Sequence, residues 1–174
     1  MELSAQFNTQ SKKKKQGQNF QFLILDSQKW PIKNTEYIVT FPKGLKDVFE
    51  EFTQLYEQKK RGQSNPDQKK KDKTQHSQQV IMTWNIQYGD CELQTYTMSD
   101  PSKKLFVVKM SCMLGLILLN FQSKESKKSI SDVQKATGIS NAEIMKSLEN
   151  LVKHGVLLKS NNKYQINENF NEGY

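Results

Sequence analysis

The stretch from Ser129 to Ile166 constrains this chain more than any other part, because its helix starts, helix stops and turn are all written in local chemistry. Ser129-x-x-Asp132 and Ser140-x-x-Glu143 each place a hydroxyl acceptor and an acid at capping-box spacing, the first with Asp in place of Glu. The first predicts a short helix carrying Ile130 and Val133 and closed by Gly138. The second predicts a helix with Ile144, Leu148, Leu151 and Val152 inward, cations Lys153 and His154 in its last turn, and Gly155 as the C-cap. Val156 to Lys159 and Tyr164 to Ile166 then flank Ser160-Asn161-Asn162-Lys163, which reads as a β-hairpin.

A further helix is predicted from Ser111, with Met113, Leu114, Ile117, Leu118 and Phe121 apolar; Gly115 inside it points to close packing against another element. Three helices followed by a hairpin is the winged-helix order. Upstream, Phe20 to Leu25 is apolar on both faces and predicts a strand buried on both sides, ending before Trp30-Pro31. Pro42 opens a helix whose stripe runs through Leu45, Val48, Phe49, Phe52, Leu55 and Tyr56. Further strands are predicted at 80–86, where Trp84 lies on the more apolar face, at 91–98 and at 105–110. The fold class expected is therefore α+β: a small mixed α/β sheet domain over 20–110, then a winged-helix domain over 111–174.

Charge divides the chain further. The net charge is +8, and 25 of the 26 cations are lysines, Arg61 being the exception. Residues 1–19, with Lys12 to Lys15, and residues 57–79 account for +3 and +4 of that total. Both are rich in Lys and Gln and are expected to stay unfolded, as a basic tail and a polar insertion within the first domain. The rest of the chain is nearly neutral.

That distribution argues against nucleic acid as partner. DNA affinity rests on phosphate contacts and base reading leans on arginine forks. The outer positions of the 141–153 helix carry Glu143 and Glu149 against Lys146 and Lys153, and no arginine. A winged-helix nucleic-acid-binding protein remains the alternative reading. Catalysis has no support: there is no Gly-rich phosphate loop and no nucleophile–base arrangement. Cys91 and Cys112 form neither a CxxC pair nor a disulfide framework, and both fall in elements expected to be buried, where a thiol is inert packing. With His76 and His154 as the only histidines, no metal or other cofactor is expected. The apolar run from Leu105 to Phe121 contains Lys109, Ser111 and Asn120 and reads as strand then helix, so no membrane partner is expected. The location expected by default is cytoplasmic or nuclear.

Taken in order, the motifs resemble the cullin homology region. Phe22-Leu23-Ile24-Leu25 with Trp30-Pro31 is similar to that family's apolar strand ending in Trp-Pro, and Val48 to Tyr56 to its helix of F-x-x-F-Y character. Met82-Thr83-Trp84 stands where the family has Leu-Thr-Trp, and Gly89-Asp90-Cys91-Glu92-Leu93 resembles its G-x-C-E-L segment. Val107 to Phe121 looks like its strand-to-helix junction, and Tyr164 to Phe170 like its terminal F-x-x-N-x-x-F strand. The arginine usual beside Leu-Thr-Trp is displaced to Arg61, and Leu114 and Gln122 replace a common glutamine and asparagine. The family's N-terminal helical repeats, four-helix bundle and second winged helix with its modifier-acceptor lysine have no counterpart, so a fragment or a shortened relative is expected.

The resemblance implies a non-catalytic scaffold of a cullin-RING-type ubiquitin ligase, acting in ubiquitin-dependent protein degradation. It implies a RING-box protein as partner, whose N-terminal strand completes the scaffold's sheet, and through it a ubiquitin-conjugating enzyme. Zinc would belong to the partner. Phe22, Ile24, Trp84 and Ile86 are the candidate partner-binding residues.

Overall fold

The computed structural model describes residues 2–12, 18–26, 29, 38–62, 82–96, 105–121 and 127–170. The class is α+β. The chain divides into two compact units, Met1–Lys33 with Phe41–Thr83, and Asn34–Thr40 with Trp84–Tyr174.

The first unit is built on phenylalanine. Helix α1 (Glu2–Gln10) and helix α2 (Lys43–Gly62) flank an extended segment at residues 18–26. α2 starts where Pro42 supplies the carbonyl for the amides of Leu45 and Lys46 at 2.9 and 3.0 Å. Its predicted stripe is borne out, with Val48 and Phe52 fully buried. Phe7 of α1 meets Phe22 and Phe52 edge-on at 5.4 and 5.5 Å, and the Phe22 ring stacks on Phe52 at 3.8 Å. Edge-to-face and offset packing suits the ring quadrupoles and adds to the burial of large apolar area.

Three expectations are corrected in this unit. Residues 57–62, expected to be the unfolded start of the polar insertion, continue α2 as helix. The basic tail 1–19 was expected to be unfolded, yet residues 2–10 are helical and Phe7 is 1% exposed. A nine-residue helix is marginal by itself; here Phe7 anchors it, and Ser11 and the Lys12 amide bond the Glu51 carboxylate of α2. The segment 20–25 was expected to be a strand buried on both faces. It is extended but belongs to no sheet among the described residues, and Leu23 is 81% and Ile24 41% exposed. An apolar run announces what it wants to bury, and the partner that buries it lies elsewhere in the chain. The Trp30-Pro31 stop and residues 63–79 of the polar insertion lie outside the described residues.

In the second unit, β1 (Asp90–Tyr96) and β2 (Leu105–Ser111) pair antiparallel, with Asp90 opposite Ser111 and Tyr96 opposite Leu105. Both strands were predicted to within two residues. Of the strand predicted at 80–86, residues 82–86 are irregular, although Ile86 is buried, and residues 80 and 81 lie outside the described residues. Ser111 then caps α3 (Cys112–Leu118) by accepting the Leu114 amide, and the Cys112 amide donates to the Gly89 carbonyl at 2.7 Å. A short 3₁₀ turn (Leu119–Phe121) follows.

The remaining elements are α4 (Ile130–Thr137), α5 (Asn141–Lys153), β3 (Leu157–Ser160) and β4 (Lys163–Ile166). This is the three-helix-then-hairpin order expected. Both caps are present as read: Ser129 and Asp132 close a reciprocal box, and the Ser140 hydroxyl accepts from the Glu143 amide. Asn161 and Asn162 both have positive φ, 50° and 58°, the requirement of a two-residue type I′ hairpin whose twist matches its strands. Lys128 and Tyr164 exchange main-chain hydrogen bonds at 2.9 and 2.8 Å, laying the residues before α4 beside the hairpin. Ile144, Leu148 and Leu151 of α5 close on Val133, Ile139, Leu157 and Tyr164 as the core.

The Asp132 carboxylate accepts the Ser129 amide at 2.8 Å and the Ser129 hydroxyl at 2.7 Å. Those bonds favour the ionised form and hold its pKa below the usual carboxylate value. The stabilisation is therefore fully present above the unfolded carboxylate value of about 4 and is lost as pH falls through the lower folded value. An Asp132→Asn variant is expected to show a flatter acid limb than the native chain when thermal midpoints are followed by circular dichroism from about pH 6 to pH 2. Ser129→Ala is expected to cost about 1 kcal/mol at neutral pH.

Candidate docking edges

Main-chain groups are the functional chemistry that this fold leaves open. In the first unit, Ser4 and Asn8, one helical turn apart on α1, act as a substitute strand for the segment 20–22. The Ser4 hydroxyl accepts the Phe22 amide at 3.0 Å and donates to the Phe22 carbonyl at 3.3 Å. The Asn8 side chain accepts the Phe20 amide at 2.9 Å and donates to the Phe20 carbonyl at 2.6 Å. Residues 20 and 22 are thus satisfied along one border. Gln21 and Leu23 are the alternate residues of this extended run, and they make no main-chain hydrogen bond among the described residues. A row of unpaired groups with exposed Leu23 and Ile24 alongside is what an added strand requires.

The second unit has its own borders. β1 and β2 form a two-stranded sheet, and among the described residues neither has another neighbour. In any antiparallel pair, alternate residues turn their polar groups away from the partner strand. This surface is dressed differently: Glu92 and Lys109 face each other at 2.9 Å, both well exposed, beside a half-exposed Val107. Charge on an outer strand discourages casual pairing.

The four candidate residues separate accordingly. Phe22 and Ile24 belong to the first unit, where Phe22 is committed to the aromatic core and Ile24 faces outward. Trp84 and Ile86 belong to the second, Trp84 half-buried and Ile86 7% exposed. Sequence reading did not single out Ser4 and Asn8. The signal was their spacing: with Phe7 they place two short hydrogen-bonding side chains and one ring on a single helical face.

Cys91 and Cys112 are also corrected. Both were expected to be buried packing, yet both are only partly buried, and both are free thiols. The Cys91 thiol lies 3.7 Å from the Ser111 carbonyl and its ionisation is linked to that of Cys112. When Cys112 is ionised, the Cys91 S–H can donate to its thiolate; that bond lowers Cys112 to about 7 and raises Cys91.

Other chemistries find little to use. Among the described residues no group of three or more His, Cys, Asp or Glu side chains could hold a metal ion, and no helix is long and apolar enough to cross a membrane. A cleft of about 190 Å³ in the first unit, with Phe7, Glu51 and Leu55 in its walls, is smaller than the roughly 300 Å³ at which small-molecule sites begin. The outward positions of α5 mix Lys146 and Lys153 with Glu149, Asn150 and Met145.

Comparison with known proteins gives one family. No curated protein matches the sequence. The model of the cullin alpha+beta domain matches residues 70–172, more than half of the chain, and spans β1, β2 and all the elements after them. The chain belongs to the cullin family.

Proposed function

We propose that this chain is a non-catalytic scaffold of a cullin-RING-type ubiquitin ligase, which holds a RING-box subunit by strand addition. The subunit in turn would bring a ubiquitin-charged conjugating enzyme to its substrate, and the elements from α3 to β4 would serve as a winged-helix packing module. Cullin-family proteins are scaffolds, and that membership supports the general reading. The observation that carries the finer one is the border of residues 21–25, where Gln21 and Leu23 make no main-chain hydrogen bond among the described residues and Leu23 is 81% exposed.

Physically, an extended peptide laid there would gain a ladder of main-chain bonds and cover Leu23 and Ile24. Neither gain depends on salt, because neither is ionic. The testing experiment is co-expression with a RING-box protein followed by size-exclusion chromatography at low and high salt. Co-elution at both is expected. Leu23→Pro removes one amide from the border without taking any described hydrogen bond from the fold. It is expected to weaken association by tenfold or more, corresponding to about 1.4 kcal/mol. Separate elution of the native chain at low salt refutes the proposal. Co-elution with unchanged affinity in Leu23→Pro moves the docking border to β1 or β2.

A further inference from the structure

We propose that Cys91 and Cys112 form a reversible thiol–disulfide pair, an oxidation site at the junction of β1, β2 and α3. The geometry is reciprocal. The Cys112 amide, at the head of α3, bonds the carbonyl of Gly89, two residues before Cys91 of β1. The two thiols lie within hydrogen-bonding reach of one another. Each sulfur also sits over a glycine that lies two or three residues from the other cysteine in sequence. A Cβ on Gly115, three residues past Cys112, would lie 2.4 Å from the Cys91 sulfur. A Cβ on Gly89 would lie 2.8 Å from the Cys112 sulfur. Both glycines leave the room that the two sulfurs fill, and neither cysteine is fully buried.

The roles within the pair differ. Cys112 is the thiol that ionises near neutral pH, held by the Cys91 S–H, and a thiolate that reaches solvent is the attacking form. The oxidant class is a hydroperoxide, with hydrogen peroxide as the probe. The Cys112 thiolate attacks one peroxide oxygen and the O–O bond breaks. The departing hydroxide takes up a proton to become water, leaving Cys112 as a sulfenic acid. The Cys91 sulfur then attacks the Cys112 sulfur, the S–O bond breaks, and hydroxide leaves with the Cys91 proton as a second water. Two electrons pass from the two sulfurs to the peroxide, and a dithiol reductant reverses the change.

The test uses the reduced full chain, treated with hydrogen peroxide and then analysed by thiol titration, non-reducing intact mass and peptide mapping. The expected result is a monomer that has lost both titratable thiols and the mass of two hydrogens, with a Cys91–Cys112 cross-linked peptide, all restored by dithiothreitol. Cys91→Ser is expected to stop at a Cys112 sulfenic acid that dimedone traps. Cys112→Ser is expected to react roughly tenfold more slowly near pH 7, because its remaining thiol stays protonated. The proposal is overturned if the native monomer keeps both thiols after peroxide, if only intermolecular disulfides appear, or if Cys112 gains two or three oxygens while Cys91 stays free.

Discussion

Replacing Phe52 by alanine is expected to lower the stability of the first unit by about 3–5 kcal/mol, the cost of deleting a buried aromatic ring. Phe52 is fully buried, stacks on Phe22 at 3.8 Å and meets Phe7 edge-on at 5.5 Å. Its ring touches both α1 and the extended segment. Its loss therefore leaves a cavity and also releases the contacts that set where α1 and residues 20–22 lie. Urea unfolding followed by circular dichroism checks the size of the effect. Hydrogen exchange checks its location: the amides of Phe20 and Phe22, bonded to Asn8 and Ser4, are expected to lose protection along with α1. Unchanged protection there, with a large global loss, would show that α1 and the segment are held by something other than the aromatic cluster. Phe52→Leu retains most of the apolar volume and is expected to recover a large part of the loss.

Gly138→Ala is expected to cost roughly 2–5 kcal/mol, combining a left-handed backbone with an overpacked contact. Gly138 has φ 73°, where a side chain is disfavoured. Its added Cβ would also stand 2.3 Å from the Ile38 carbonyl oxygen, a main-chain atom that cannot swing aside. That carbonyl is held close because the Thr40 amide donates to the Thr137 carbonyl at 2.8 Å, tying residues 38–40 to the end of α4. Asparagine separates the two causes, since it tolerates the left-handed region better than alanine but carries the same Cβ. Gly138→Asn is expected to be nearly as damaging as Gly138→Ala when thermal midpoints are compared. Full recovery in the asparagine variant would assign the whole cost to backbone conformation and none to the contact with Ile38.

The region from Ser129 onward was legible because its signals are local. A capping serine and the acid three residues later settle a helix start between themselves, and Asn161-Asn162 settle a hairpin, whatever lies elsewhere. The stripe of α2 was equally plain. The run 20–25 shows where such reading stops. Its apolarity announced burial on both faces, but one face is taken by rings from two helices and the border by side chains of Ser4 and Asn8. Nothing within the run specifies either. α1 was invisible for a related reason: its residues form no apolar stripe, and one ring, Phe7, anchors it.

The amino-acid order by itself determined the α+β class, the helix limits after Ser129, the places of β1 and β2, the cullin resemblance and the argument against DNA. These rest on periodicity, caps and charge count, all of which act over a few residues. Only the tertiary structure decided that residues 2–10 fold, that the border at Gln21 and Leu23 is unpaired among the described residues, and that Cys91 and Cys112 face one another over two glycines. Each of these depends on groups far apart in the chain meeting at a few ångströms, and hydrogen bonds, ring contacts and thiol coupling are felt only at that range.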